Sequence, residues 1–144
     1  MDFSAHFDDL QKRVAEAKAA AQAAATESRD QIKRRIDRAQ DDLEASVEDT
    51  KAQAGVATDE ARSKWAQLKA DAAARREDVK ARIGKRTREL DAKGAAKEAD
   101  WAETDAAAAL DYAAWTVDNA RLAVLDAIDA RSYADERAKV AGSQ

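Results

Sequence analysis

The sequence predicts an all-α protein: three long antiparallel helices in a coiled-coil-like bundle, with no β-structure. Two positive observations and one absence predict it. Alanine and larger apolar residues recur at steps of three and four along nearly the whole chain, the spacing that lines one face of an α-helix. Charged residues make up 38% of the 144 positions and the 45% hydrophobic share is more than half alanine, with four glycines and no proline. That composition belongs to long helices rather than to a domain with a large-residue core. No run of alternating β-branched residues bounded by turn residues signals a strand.

Helix 1 is expected from about residue 2 to 54, reading Phe3, Phe7, Leu10, Val14, Ala17, Ala21, then Ile32, Ile36, Ala39, Leu43 and Val47 along its stripe. Ser28 and Gln31 have the spacing of a capping box that would start a new helix. The alanine run before it favours helix so strongly, with no glycine or proline between, that a continuous helix 1 is expected. Gly55 reads as the residue just past its C-terminus, and Thr58 as the N-cap of helix 2, with Asp59 and Glu60 in the first turn.

Helix 2, from about 59 to 93, carries Trp65, Leu68, Ala72, Val79, Ile83 and Leu90. Folded back about Gly55, it places Leu68 level with Leu43, Ala72 with Ala39 and Val79 with Ile32. Gly84 falls inside the pattern, whereas Gly94 reads as the end of the helix. Spacings of 11 residues, such as Ala21 to Ile32 and Leu68 to Val79, keep the mean step near 3.6 and predict nearly straight helices.

Helix 3, from about 96 to 139, is patterned differently. Trp101, Tyr112, Trp115, Leu122 and Tyr133 fall on one side, and Leu110, Val117, Val124 and Ile128 roughly opposite. A helix with two apolar faces must be covered twice. Most of Asp100, Asp105, Asp111, Asp118, Asp126 and Asp129 lie between these two sides and read as solvated or ion-pairing edges, facing the basic segment of helix 2. Asn119, the only asparagine, shares the aromatic side, where a single amide can set register between helices. The three helices form one elongated domain, 1–144.

Helix 2 is shorter than helix 1, so a straight helix 1 leaves Phe3, Phe7, Leu10 and Val14 beyond the end of its partner. Together with the second face of helix 3, this predicts a homo-oligomer, most simply a C2 antiparallel dimer. The expected interface residues are Phe3, Phe7, Leu10, Val14, Trp101, Tyr112, Trp115, Asn119 and Leu122.

Nothing in the sequence carries catalysis. There is no phosphate-cradling glycine loop, nucleophile elbow, Cys/His pair or dinucleotide fingerprint, and no small-molecule substrate or cofactor is expected. The single histidine, His6, shares a face with Asp2 and Asp9, half of a metal site at most. No Glu-x-x-His pair of the di-metal bundles occurs, so no metal is expected. Without cysteine, disulfide and thiol chemistry are excluded, which fits a cytoplasmic location. The opening MDFSAHFDDL lacks the basic and apolar regions of a secretory signal.

The net charge of −4 marks neither a nucleic-acid nor a membrane protein. Locally, Arg75, Arg76, Lys80, Lys85, Arg86 and Arg88 make helix 2 basic and give it the best anionic-surface contact. They spread around the helix and no aromatic residue interleaves them, so duplex binding would be sequence-independent at most. A narrow apolar stripe flanked by Lys and Arg, in hinge-poor helices with 11-residue spacing, resembles the exchangeable apolipoproteins, the 11-mer late-embryogenesis-abundant proteins and the storage-granule coat proteins. The resemblance covers helices 1 and 2 and implies, as the alternative function, binding to an anionic lipid or granule surface. The aromatic-rich helix 3 departs from it.

Overall fold

The computed structural model describes residues 2–54, 58–87 and 91–142. Among them are four helices and no strand: α1 (Ser4–Ala24), α2 (Arg29–Ala54), α3 (Asp59–Thr87) and α4 (Ala92–Gly142). The chain falls into two units, Met1–Glu89 and Leu90–Gln144.

Within the first unit, the expected continuous helix 1 is corrected: it is two helices with a corner at residues 25–28. The local chemistry of that corner explains the break. The backbone N–H of Gln31 donates to Ser28 Oγ at 3.3 Å, and the backbone N–H of Ser28 donates to Gln31 Oε1 at 3.0 Å, so the capping box closes in both directions. On the other side, Thr26 Oγ1 donates to the carbonyl of Ala23 at 3.1 Å, and the amides of Ala25 and Thr26 satisfy the carbonyls of Ala21 and Ala23. Arg35 on α2 reaches back to Glu27, its Nη2 donating to Oε2 at 3.1 Å while Nε pairs with Oε1. Intrinsic alanine propensity is worth only tenths of a kcal/mol per residue over ordinary residues. A double cap, an ion pair and the packing of α1 on α2 outweigh it over these few positions.

With the corner formed, α1 packs against α2. Arg13 ties them: its Nε donates to Asp9 Oδ2 at 2.9 Å, one turn back on α1, and its Nη1 donates to Ser46 Oγ on α2 at 3.0 Å. The straight overhang expected for the first turns is therefore replaced. Phe3, Phe7 and Leu10 are half-buried, while Val14 stays 60% exposed.

α3 packs against α2 on another contact. Thr58 precedes it in the N-cap position read from the sequence, its carbonyl accepting from the N–H of Arg62 at 3.0 Å. Leu43 lines a groove of about 450 Å³ with Lys69, Ala72 and Ala73, and Leu68 is 42% exposed. Glu44 and Arg76 form an ion pair across the same contact. An alanine stripe is nearly smooth, so neighbouring registers differ little in packing. The hairpin glycine Gly55 and the helix-2 residues Arg88 and Leu90 lie outside the described residues.

The second unit is described from Asp91 onward, where α4 begins. Asp91 Oδ1 accepts from the N–H of Gly94 at 2.7 Å, and the Asp91 carbonyl accepts from Ala95 N at 2.9 Å. Gly94, expected to end a helix, therefore sits in the first turn of α4, and Ala92 and Lys93 belong to this helix rather than to the one before. A carboxylate that satisfies an N-terminal amide specifies a start where glycine alone suggested a stop.

Candidate interaction surface

No residue among the described ones is fully buried. Apolar side chains are instead half-covered along the contacts of α1, α2 and α3, and on α4 they stand open. α4 runs for 51 residues, about 76 Å at 1.5 Å per residue. Its alanines and its lack of any interior breaker after Gly94 explain the uninterrupted length. Thr104 and Thr116 do not disturb it, because each hydroxyl donates to the carbonyl four residues back, Asp100 at 2.9 Å and Tyr112 at 2.8 Å.

The aromatic side read from the sequence stands exposed as a continuous face: Trp101 is 55% exposed, Tyr112 56%, Trp115 61%, Leu122 69% and Tyr133 63%. Tyr112 and Trp115 already touch, their ring centroids 5.9 Å apart in a tilted arrangement. Asn119 is exposed on the same face. The opposite face is open as well, with Leu110, Val117 and Ile128 exposed. Apolar surface of this extent on one helix exceeds the scattered single residues normal for a monomer's surface.

The two groups of interface residues read from the sequence thus differ. Trp101, Tyr112, Trp115, Asn119 and Leu122 come together on one exposed helical face. Phe3, Phe7 and Leu10 are half-buried on α1 within the other unit. Of the cations singled out on helix 2, Arg75, Lys80 and Lys85 are exposed, whereas Arg76 and Arg86 are half-buried. Arg76 is committed to Glu44, which lowers the free positive charge of that stretch.

Charge divides between the units. Residues 1–89 hold 19 Lys and Arg against 18 Asp and Glu, whereas residues 90–144 hold 6 against 11. The acidic character belongs to α4 and its approach, while the first unit is close to neutral. Two carboxylates in the first unit titrate low. Hydrogen bonds from Arg35 hold Glu27 below the ordinary glutamate range, and the same bonds raise the Arg35 guanidinium. Asp2 is lowered by the hydrogen bond from the backbone N–H of Ser4, 2.9 Å away.

Sequence reasoning found the Ser28–Gln31 box but missed Arg13–Ser46, Glu27–Arg35 and Glu44–Arg76. Asp9 and Arg13 are spaced as an intrahelical pair, which was the one visible signal. The others join residues brought together only by the corner and by the α2–α3 contact. Among the described residues, no helix is long and apolar enough to cross a membrane, and no cluster of three or more His, Cys, Asp or Glu is arranged to hold a metal ion. No protein family, curated protein or solved structure matches this chain.

Proposed function

We propose that this is a non-enzymatic structural or interaction protein of the cytoplasm that self-associates through long amphipathic helices, with α4 as the assembly element. The observation that carries the proposal is the apolar exposure of α4: ten large side chains, from Trp101 to Val140, are each 40–71% exposed on a single helix. Leaving them in water forgoes about 25 cal/mol for each Å² of apolar surface, and long helices draw most of their stability from packing. Covering this face by association recovers both.

Sedimentation across a wide concentration range tests the proposal. The chain is expected to associate, and Trp115→Ser together with Leu122→Ser is expected to shift it to monomer while far-UV circular dichroism keeps the helical content of the first unit. A wild-type chain that stays monomeric at every concentration, with Trp115 fully open to an aqueous quencher, overturns it.

A second reading, contact with an anionic lipid or granule surface through the first unit, is favoured by exposed Arg75, Lys80 and Lys85 beside apolar stripes with no fully buried residue. It predicts a blue shift of Trp65 emission on adding anionic vesicles. An unchanged spectrum counts against it.

A further inference from the structure

We propose that α4 pairs with α4 of a second copy, antiparallel, about a two-fold axis at Asn119; this rests on the self-association reading and specifies its geometry. The observation behind it is a chemical complementarity between one face of α4, on which every residue used below is exposed except half-buried Asp105, and its own reversal.

At about 100° per residue, one sector of the helix about 100° wide contains every residue used below. Asn119 lies near its middle. Stepping away from Asn119 in both directions, the same spacings meet complementary chemistry. Seven residues away stand Tyr112 on one side and Asp126 on the other. At eleven come Ala108 and Ala130, at fourteen Asp105 and Tyr133, and at eighteen Trp101 and Arg137. Nearest the centre, Trp115 meets Leu122, one residue out of strict symmetry, as alternating steps of three and four require.

An antiparallel two-fold pairing brings each of these opposite the other, twice. Tyr112 donates its phenolic hydrogen to the Asp126 carboxylate of the second copy, and Tyr133 does the same to Asp105. Trp101 offers its ring face to the Arg137 guanidinium. Ala108 on Ala130 lets the helix axes approach closely, and Trp115 covers Leu122. At the axis, each Asn119 amide offers both a donor and an acceptor to its symmetry mate. In a parallel in-register pair, every one of these matches becomes a like-on-like contact: Asp126 on Asp126, Asp105 on Asp105, Arg137 on Arg137. Like charges placed opposite one another are destabilising, so the same residues select against that arrangement.

Asp126 also argues against a lipid as the occupant. It sits within the apolar stripe between Leu122 and Tyr133, where a membrane offers a carboxylate no partner. The acidic balance of residues 90–144 opposes anionic headgroups as well.

The chain has no cysteine, so single introduced thiols report the geometry without background. Full-length Asn119→Cys is expected to form a covalent dimer with a short bis-maleimide. Ala108→Cys and Ala130→Cys are each expected to remain single chains when treated alone and to cross-link when mixed. As a second arm, Arg137→Glu sets an acid beside Trp101 and Asp105 of the other copy and is expected to weaken dimerisation by about tenfold or more. Self-linking of Ala108→Cys as fast as the mixture, or an Arg137→Glu variant that dimerises as tightly as wild type, overturns the antiparallel register. A chain that sedimentation shows to dimerise but whose Asn119→Cys variant fails to link also overturns it, and leaves self-association standing. Sedimentation of the wild type as a monomer throughout removes the parent reading instead.

Discussion

Ser28 shows how much one side chain decides in a protein with so few large residues. Its hydroxyl and amide, together with the Gln31 side chain, divide what the alanine-rich sequence around them would otherwise run together. Ser28→Ala is expected to cost about 1 kcal/mol of stability of the first unit, read from chemical denaturation. Gly84 offers the opposite case. It lies inside α3, and a Cβ built there meets nothing within 4 Å. Among the described residues no glycine has a positive φ, so alanine fits this backbone unstrained. Gly84→Ala is therefore expected to stabilise the first unit by about 0.5–1 kcal/mol, seen as a higher denaturation midpoint at unchanged slope. The capping box was legible from residue types alone. Its victory over the alanine run was not, because the sum also includes Arg35, whose contact with Glu27 exists only once the corner has formed.

At the scale of elements, the corner between α1 and α2 is also the pH-sensitive part. Glu27 titrates below its ordinary range in the folded chain because Arg35 binds its charged form. A carboxylate lowered on folding adds stability that is present above its unfolded pKa and is lost as pH falls through the folded value. The α1–α2 corner is thus expected to lose stability progressively as pH falls from the ordinary glutamate range to the lower folded value. Glu27→Gln is expected to remove that acid dependence, with the corner amides of residues 25–28 followed by NMR. The α2–α3 contact teaches a different lesson. Periodicity identified both helices and their apolar faces, but not the Glu44–Arg76 ion pair across their contact. Alanine on alanine has little shape by which to choose among neighbouring turns, so ion pairs such as Glu44–Arg76 weigh more in the balance than they would beside a large-residue core. Arg76→Glu is expected to destabilise the first unit by about 1 kcal/mol or less, since the pair is partly exposed, and 150 mM salt should reduce the difference.

For the molecule as a whole, the decisive quantity is how little is fully covered. Among the described residues none is fully buried, so nothing there resembles a conventional core. The chain's thermodynamic stability is expected to depend on association. If α4 is the assembly element, mass action links folding to concentration, so the midpoint of thermal unfolding should rise as the protein is concentrated. A midpoint independent of concentration over a hundredfold range would count against the proposed function. The two-sided pattern of α4 was visible from Trp101, Leu110, Tyr112, Trp115 and Ile128 in the sequence, because helical periodicity maps directly onto helix faces. The exposure of the individual α4 side chains was not legible there, since periodicity gives the side of a helix and not the area left open.

By itself, then, the sequence determined the all-helical class, the helix start after Thr58, the capping chemistry at Ser28 and the two apolar faces of α4. These are consequences of bonds and spacings within a few turns, which the order of residues states directly. Only the tertiary structure decided that the corner at 25–28 breaks the first helix, that α1 lies on α2 with Phe3 and Phe7 half-buried, and that α3 brings Arg76 to Glu44. Those outcomes turn on small differences between competing contacts of residues 8 to 33 positions apart. In a chain whose stripes are mostly alanine, local pattern carries too little shape to settle them.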